Sequence, residues 1–304
     1  MDAVNVRGGW GGSGQGNPHH GDTGEIRAHL REAVDAACAQ IGVASSGCVS
    51  LFAGVAGVTD ETEREVMREH LAAIGLARAQ LGVDHDIRIA LAGGLGGTPG
   101  MALIVGTGSS CYGRATDGRA WQTGGWGSLI ADEGSGYFLG REAIAAAARM
   151  ADGRAAETAL RAAVFSWLEI EDISALLHRL HQTERGRTEI AALAPRVVGL
   201  AAAGDAPSRE ILGRGAHLLA EMVAANHALL PTAPAPAIII TGGLGTADTI
   251  YREMIVGAIR TRLPAVKVQE PLLPPAIGAA LLAMEQVGRK ASAALIEELR
   301  RFAR

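Results

Sequence analysis

The feature that most constrains the fold of this chain is an apolar segment that runs directly into a glycine turn. Met101–Val105 has the length and composition of a buried β-strand and is followed at once by Gly106-Thr-Gly-Ser109. Glycine lets the backbone approach an anion closely, and consecutive amide N–H groups form a concave nest for phosphate. The sequence therefore predicts a buried strand that ends in an anion-binding turn.

A second glycine turn follows 18 residues after Gly106. Gly124-Gly-Trp-Gly127 presents one aromatic ring, and the carboxylates of Asp132 and Glu133 come shortly after it. Either turn alone could be an ordinary tight β-turn. The two together, in this order, indicate phosphoryl transfer to a polar small molecule.

Composition excludes several classes of protein. The 304 residues are enough for two ordinary domains or one large one. The net charge of −4 does not indicate a surface that binds nucleic acid or an anionic membrane. No apolar run approaches the length of a membrane span, and no charged-then-apolar leader precedes the first helix. The three cysteines are isolated, which indicates reduced thiols. We expect a cytoplasmic protein that binds neither nucleic acid nor membrane.

Two common nucleotide-binding motifs are absent from the sequence. The chain has only two lysines, Lys267 and Lys290, and neither ends a glycine loop as a Walker A motif requires. Gly106-Thr-Gly108 is followed by Ser-Ser-Cys111, so it does not continue as a dinucleotide-binding fingerprint.

Strand and helix signals alternate along most of the chain, which favours a mainly parallel sheet with crossover helices. The predicted strands outside the first glycine turn are 48–53, 79–83, 237–241 and one near 266–268. Residues 110–122 predict a hairpin that turns at Thr116-Asp-Gly118. The pattern alone would also allow a doubly wound single domain.

The two glycine turns resemble those of the sugar-kinase branch of the actin/hexokinase/heat-shock-70 superfamily. More narrowly, they are similar to the N-acetylglucosamine kinase group within the BadF/BadG/BcrA/BcrD ATPase family. The resemblance runs from about Gly14 to about Gln286, with Ala131 where the family usually has glycine. It implies a two-lobed, ribonuclease H-like α/β fold, with an N-terminal lobe at residues 1–100 and a C-terminal lobe at residues 101–304.

The resemblance also implies a site for Mg·ATP and an amino sugar. The residues that it assigns to ATP are Gly106, Thr107, Gly108 and Ser109 for the phosphates, with Gly204, Gly242 and Gly243 on the adenosine side. Those that it assigns to the sugar are Asn17, Gly125, Trp126, Gly127 and Asp132. It does not separate N-acetylglucosamine from glucosamine or a related sugar.

Transfer to a sugar hydroxyl needs a base near the attacking oxygen. Asp86 follows the predicted strand that ends at Val83 and lies 20 residues before Gly106, which suits the catalytic aspartate of the family. The alternatives are that Asp86 caps a helix formed by Ile87–Ala92, or that Asp84 is the base.

One part of the family pattern is not found. Members begin with a strand and a hairpin of Asp-Gly-Gly-Gly-Thr type that holds the β- and γ-phosphates. Residues 1–17 contain no such sequence, since Gly8–Gly12 lacks both the threonine and a leading strand. We therefore expect lobe one to lack its first strands and the chain as given to be a poor kinase or none at all.

Two other functions stay open from the sequence. One is the other branch of the family, the ATPase activators that hold an iron–sulfur cluster between subunits through cysteines. The other is a sugar-binding protein that has lost phosphoryl transfer. We expect the protein to be a homodimer.

Overall fold

The computed structural model describes residues 22–58, 60–176, 178–179, 186–230 and 235–302. The chain forms two compact units, Met1–Thr98 with Pro271–Arg304, and Pro99–Glu270. The division expected from the sequence placed residues 271–304 in the second lobe. In the structure this segment packs in the first unit, because the helix Pro275–Gln286 packs against the helix Asp86–Gly94 and the strand Ser50–Gly54.

The elements of the first unit are α1 (Thr23–Gln40), β1 (Ser50–Gly54), α2 (Glu61–Leu71), β2 (Gln80–Asp84), α3 (Asp86–Gly94), α11 (Pro275–Gln286) and α12 (Ala293–Phe302). Those of the second unit are β3 (Gly100–Val105), β4 (Ser109–Arg114), β5 (Ala120–Gly124), α4 (Gly136–Ala151), α5 (Ala159–Leu168), α6 (Arg187–Ala191), α7 (Ala194–Ala202), α8 (Ala206–Leu229), β6 (Ala237–Thr241), α9 (Gly243–Thr246), α10 (Ile250–Arg262) and β7 (Lys267–Gln269).

In the first unit, β1 and β2 form a parallel pair in the register Ser50↔Gln80 to Gly54↔Asp84. The chain enters α2 through a capping box, in which the Asp60 carboxylate accepts the Glu63 amide and the Glu63 carboxylate accepts the Asp60 amide. One cluster of buried apolar side chains lies between α2 and the strands: Val58, Met67, Leu71, Ile74, Leu76 and Val83. The two strands, joined through a crossover helix, therefore match the prediction from the sequence.

Helices α3 and α11 approach each other backbone to backbone. A Cβ added to Gly278 would lie 2.0 Å from the Ile89 carbonyl oxygen and 2.4 Å from the Gly93 nitrogen. Glycine at position 278 therefore permits a contact that any side chain would block. This close packing ties α11 to the first unit.

The second unit contains a five-stranded sheet in the order β5-β4-β3-β6-β7. The pairs β3/β6 and β6/β7 are parallel, whereas β3/β4 and β4/β5 are antiparallel. A mainly parallel arrangement was expected, and for this sheet that is wrong. The turns at 106–108 and 115–119 are too short for a parallel crossover, so these strands form an antiparallel meander.

The helices of the second unit pack on the sheet around a large apolar core that includes Leu103, Leu139, Val164, Leu219 and Ile255, all buried. Helix α8 also fixes β5. The buried Asn226 amide donates to the Trp121 carbonyl oxygen at 2.9 Å and to Thr123 Oγ1 at 3.1 Å. Across the described residues of both units, no helix has the length and apolar character needed to cross a bilayer.

Candidate active site

Three glycine turns meet at one edge of the second sheet. β3 ends at Val105 and β4 begins at Ser109, so the turn at 106–108 lies at this edge. The end of β5 pairs with the start of β4, Gly124 with Ser110, and the end of β6 pairs with the end of β3, Thr241 with Ile104. The turns that follow β5 and β6 therefore flank the first one, each about one strand spacing of 4.8 Å away.

The turn at 106–108 is held from behind by the first residues of α4. The Gly136 and Tyr137 amides donate to the carbonyl oxygens of Gly106 and Thr107, at 2.8 and 3.1 Å. Within the described residues, the Thr107 and Gly108 amides donate no hydrogen bond, and Thr107 is exposed. The turn thus keeps two amide donors for a ligand, and the positive end of the α4 dipole lies behind it.

Ser109 lies inside this arrangement and is buried. Its hydroxyl donates to the Glu133 carbonyl oxygen at 2.7 Å, and its amide donates to Asp132 Oδ1 at 3.2 Å. The sequence predicts that the Ser109 hydroxyl meets phosphate oxygens. In this structure the hydroxyl instead holds the turn against the 132–135 segment.

Asp132 is fully buried and has a left-handed backbone, with φ +64°. Its carboxylate contacts the Arg187 guanidinium through two atom pairs, Nη2 to Oδ1 at 3.0 Å and Nε to Oδ2 at 2.8 Å. The sequence predicts that Asp132 accepts sugar hydroxyl protons. In the structure the Arg187 guanidinium already contacts both carboxylate oxygens. A sugar hydroxyl would therefore have to bind the carboxylate beside Arg187 or displace that guanidinium.

Sequence reasoning did not find Arg187. It lies at the start of α6, 55 residues from Asp132 along the chain, and no motif marks it. A Cβ added to Gly108 would lie 1.7 Å from Arg187 Nη2 and 2.5 Å from Asp132 Oδ1. The third residue of the turn must therefore be glycine so that the guanidinium can lie against the backbone.

The turn after β5 presents its tryptophan to solvent. Gly124, Gly125 and Gly127 all have positive φ, between +72° and +83°, which places the intervening Trp126 at the tip with 71% of its surface exposed. The ring therefore supports no core. Ala131 has no left-handed backbone and donates to the Gly127 carbonyl oxygen at 2.8 Å, so alanine fits where the family usually has glycine.

Two of the three glycines predicted on the adenosine side lie at the same sheet edge. Gly242 has φ +87°, and a Cβ there would lie 2.6 Å from the Val105 carbonyl oxygen; Gly243 begins α9. Gly204 lies instead in the turn between α7 and α8, with φ +97°. Asn17 lies outside the described residues, as does the rest of the segment 1–17.

In the first unit, the structure distinguishes Asp84 from Asp86. Asp84 is buried and binds two guanidinium groups, Arg88 Nη1 at 2.6 Å and Arg64 Nη2 at 3.1 Å, and it accepts the His85 amide at 2.9 Å. Asp86 is exposed and makes no hydrogen bond or ion pair within the described residues. The N-cap position of α3 is His85, so Asp86 is not the cap. Asp84 therefore has the environment of a structural ion pair, and Asp86 that of an available base.

Burial by itself would raise the pKa of Asp84, but the hydrogen bond from Arg88 and the nearby positive charges outweigh burial and lower that pKa below its ordinary value. The carboxylate therefore contributes stability at neutral pH. This contribution falls as the pH drops below the ordinary carboxyl range towards the folded-state pKa.

We expect Asp84→Asn to lower the free energy of unfolding at pH 7 by about 3 kcal/mol, because it leaves two partly buried guanidinium groups without their carboxylate. Chemical denaturation of variant and parent at pH 7 and at about pH 3 measures the effect, and the difference should shrink at the lower pH. Glu65→Gln removes an exposed partner of Arg68 and serves as the control, with an expected cost below about 1 kcal/mol. An Asp84→Asn variant as stable as the parent at pH 7 would contradict the structural role.

The described residues contain no group of three or more His, Cys, Asp or Glu side chains that could hold a metal ion. Two carboxylate atoms beside the first turn are buried without a hydrogen-bond partner among the described residues, Asp132 Oδ2 and Glu133 Oε2.

Comparison with known proteins identifies relatives of this arrangement. A sequence profile of the BadF/BadG/BcrA/BcrD ATPase family matches residues 3–283. An N-acetylmuramic acid/N-acetylglucosamine kinase of Clostridium acetobutylicum is 29% identical over 264 residues, which cover 86% of this chain and 86% of that protein.

Solved structures agree with these matches. A protein of Chromobacterium violaceum, named as a candidate N-acetylglucosamine kinase, is 26% identical with a TM-score of 0.66, over 89% of this chain and 88% of that one. A ROK hexokinase of Thermus thermophilus, 18% identical with a TM-score of 0.53 over 89% of each chain, shows the same fold. The expected actin/hexokinase-type α/β fold is confirmed.

Proposed function

Because the chain belongs to the BadF/BadG/BcrA/BcrD ATPase family, we propose that it is an ATP-dependent kinase that phosphorylates a hydroxyl of an amino sugar, N-acetylglucosamine or glucosamine. The observation that carries the proposal is the meeting of three glycine turns at one sheet edge, with unused amide donors in one turn and an exposed tryptophan in another. The kinase names of the relatives supply the sugar class.

The roles follow from what each turn exposes. Gly106, Thr107 and Gly108 would bind ATP phosphates through backbone amides, with Ser109 holding the turn in place. Gly242 and Gly243 would contact the adenosine side. Gly204 stays a weaker assignment, because it lies on a different turn.

The sugar would be bound by the turn after β5. Gly125 and Gly127 would offer backbone groups to hydroxyls or to an acetamide, and Trp126 would pack against the face of the sugar ring. Asp132 and Asn17 complete the set implied by the family. The Asp132 carboxylate, which already accepts a hydrogen bond from Arg187, would also accept one from a sugar hydroxyl.

In the reaction, a sugar hydroxyl oxygen forms a bond to the γ-phosphorus of ATP, and the bond to the β–γ bridging oxygen breaks. ADP leaves, and Asp86 accepts the hydroxyl proton. Because phosphoryl transfer depends mostly on positioning and charge stabilisation, the preformed backbone turn is the main contribution of the protein. Mg²⁺ would arrive with ATP and reduce the charge on the phosphates, with few protein ligands of its own.

A thermal-shift panel tests the substrate class. We expect N-acetylglucosamine and glucosamine to raise Tm, more so with Mg·ATP present, and glucose to raise it less. No stabilisation by any amino sugar at saturating concentration would contradict the sugar assignment.

We expect Trp126→Ala to weaken sugar binding by about 1–3 kcal/mol, or roughly 5- to 150-fold in Kd, since the ring is exposed and supplies contact area to a ligand. Affinity for ATP should change little. Calorimetric titration with each ligand separates the two. Replacement of Trp121, an exposed tryptophan in the same strand and turn region, is the matched control. Equal losses for both ligands in Trp126→Ala would assign the ring a structural role.

The iron–sulfur activator is the weaker alternative. Cys111 is fully buried inside β4, where it cannot reach a cluster shared between subunits. A colourless purified protein is the expected result, whereas a brown one with bound iron would favour the activator.

We further propose that the enzyme acts in the cytoplasm, where ATP is available, and as a homodimer, which sedimentation can test.

A further inference from the structure

The Arg187 guanidinium lies directly against the phosphate turn, and we propose that it binds the terminal phosphates of the nucleotide. The inference rests on the proposed function and adds a residue that the glycine motifs do not include. Its basis is the position of the guanidinium: Nη2 lies where a Cβ of residue 108 would be, at 1.7 Å from that point.

The guanidinium is held in place before any ligand arrives. The Asp132 carboxylate, which is itself fully buried, contacts both Nε and Nη2. Asp132 Oδ1 also accepts the Ser109 amide, so the same carboxylate ties Arg187 to the start of β4. A guanidinium that is fixed in this way loses little side-chain freedom when it binds an anion.

Arg187 still has donors to offer. A guanidinium carries five N–H groups in a fixed fork; Asp132 Oδ1 accepts a hydrogen bond from Nη2, and Oδ2 lies 2.8 Å from Nε as an ion-pair contact. The side chain is 44% exposed, so the remaining N–H groups can reach a ligand in solvent. A carboxylate contact on one side, and donors on the other that no described residue occupies, is the geometry of a positioned anion-binding arginine.

The nearby groups favour a phosphate over other ligands. The unused Thr107 and Gly108 amides lie in the same turn, and the first amides of α4 bond its carbonyl oxygens, which places the positive end of that helix behind it. Amides and a guanidinium together match the several oxygens of a phosphate group. A neutral sugar hydroxyl would use only one of them.

The test compares ligands that differ in phosphate content. Dissociation constants of ATP, ADP, adenosine and N-acetylglucosamine are measured for the parent, Arg187→Gln and Arg187→Lys. We expect Arg187→Gln to weaken ATP and ADP by about 10- to 100-fold, to leave adenosine unchanged, and to change sugar affinity, through the Asp132 contact, far less than ATP affinity. Arg187→Lys should recover part of the loss, because it keeps the charge but not the fork.

Arg196→Gln is the matched control, since Arg196 is an exposed arginine of α7 in the same unit. Its ligand affinities should equal those of the parent. If the parent binds ATP and Arg187→Gln binds it equally well, the inference is wrong and the proposed function stands. Loss of adenosine or sugar affinity to the same extent as ATP would make Arg187 structural or part of the sugar site, and would also overturn the inference. A parent that binds no ATP would refute the proposed function itself.

Discussion

Replacing Asp86 with asparagine should reduce the rate of sugar phosphorylation by about 10²- to 10⁴-fold, the usual contribution of a positioned base. The change keeps the size of the side chain but removes its ability to take a proton. Asp86 is exposed and makes no hydrogen bond or ion pair within the described residues, so stability and sugar affinity should be nearly unchanged. Steady-state kinetics, Tm and a sugar titration on the same preparation measure all three.

Glu25→Gln is a suitable control, because Glu25 is an exposed carboxylate in the first turn of another helix, α1. It should keep full activity. If Asp86→Asn retains most of the parental rate, the base has been assigned wrongly. Asp84 would then be the next residue to test, despite its two arginine partners.

Among single alanine substitutions in the phosphate turn, Gly108→Ala should be the most damaging, with an expected loss of about 10²-fold in kcat/KM. The added Cβ would overlap Arg187 Nη2 and crowd Asp132 Oδ1. The guanidinium can move away, but it would then leave a fully buried carboxylate without its partner. We therefore expect weaker ATP binding together with a lower Tm.

Gly213→Ala provides the comparison, since Gly213 is an exposed residue of α8 whose added Cβ would meet nothing within 4 Å. It should be neutral or slightly stabilising, because alanine favours a helix over glycine. A Gly108→Ala enzyme with parental kcat/KM would show that the contact between Arg187 and the turn does not contribute to catalysis.

The parts of the fold that the sequence predicted are those that local chemistry determines. Thr116-Asp-Gly118 turns the β4–β5 hairpin, as expected, and the strand predicted at 48–53 is found as Ser50–Gly54. The buried strand Met101–Val105 and its glycine turn are also found where the apolar run places them. In each case the signal and the structure lie within a few residues of each other.

The parts that were missed depend on contacts between distant segments. The pairing of Arg187 with Asp132 joins residues 55 apart, and nothing in either local sequence points to the other. Helix α11 packs on α3 through a close contact between Gly278 and Gly93. This contact between distant segments is why residues 271–304 belong to the first unit and not to the second. The antiparallel direction of β4 relative to β3 followed from the short turn at 106–108 rather than from the strand pattern, which is the same for either direction.

The most direct test of the central claim is to incubate the 304-residue protein with Mg·ATP and N-acetylglucosamine or glucosamine and to detect the products by mass spectrometry and ³¹P NMR. We predict slow formation of a sugar monophosphate, in equal amount to ADP, and none in the same time with Asp86→Asn. ADP and inorganic phosphate without any sugar phosphate, or no consumption of ATP with either amino sugar, would contradict the account.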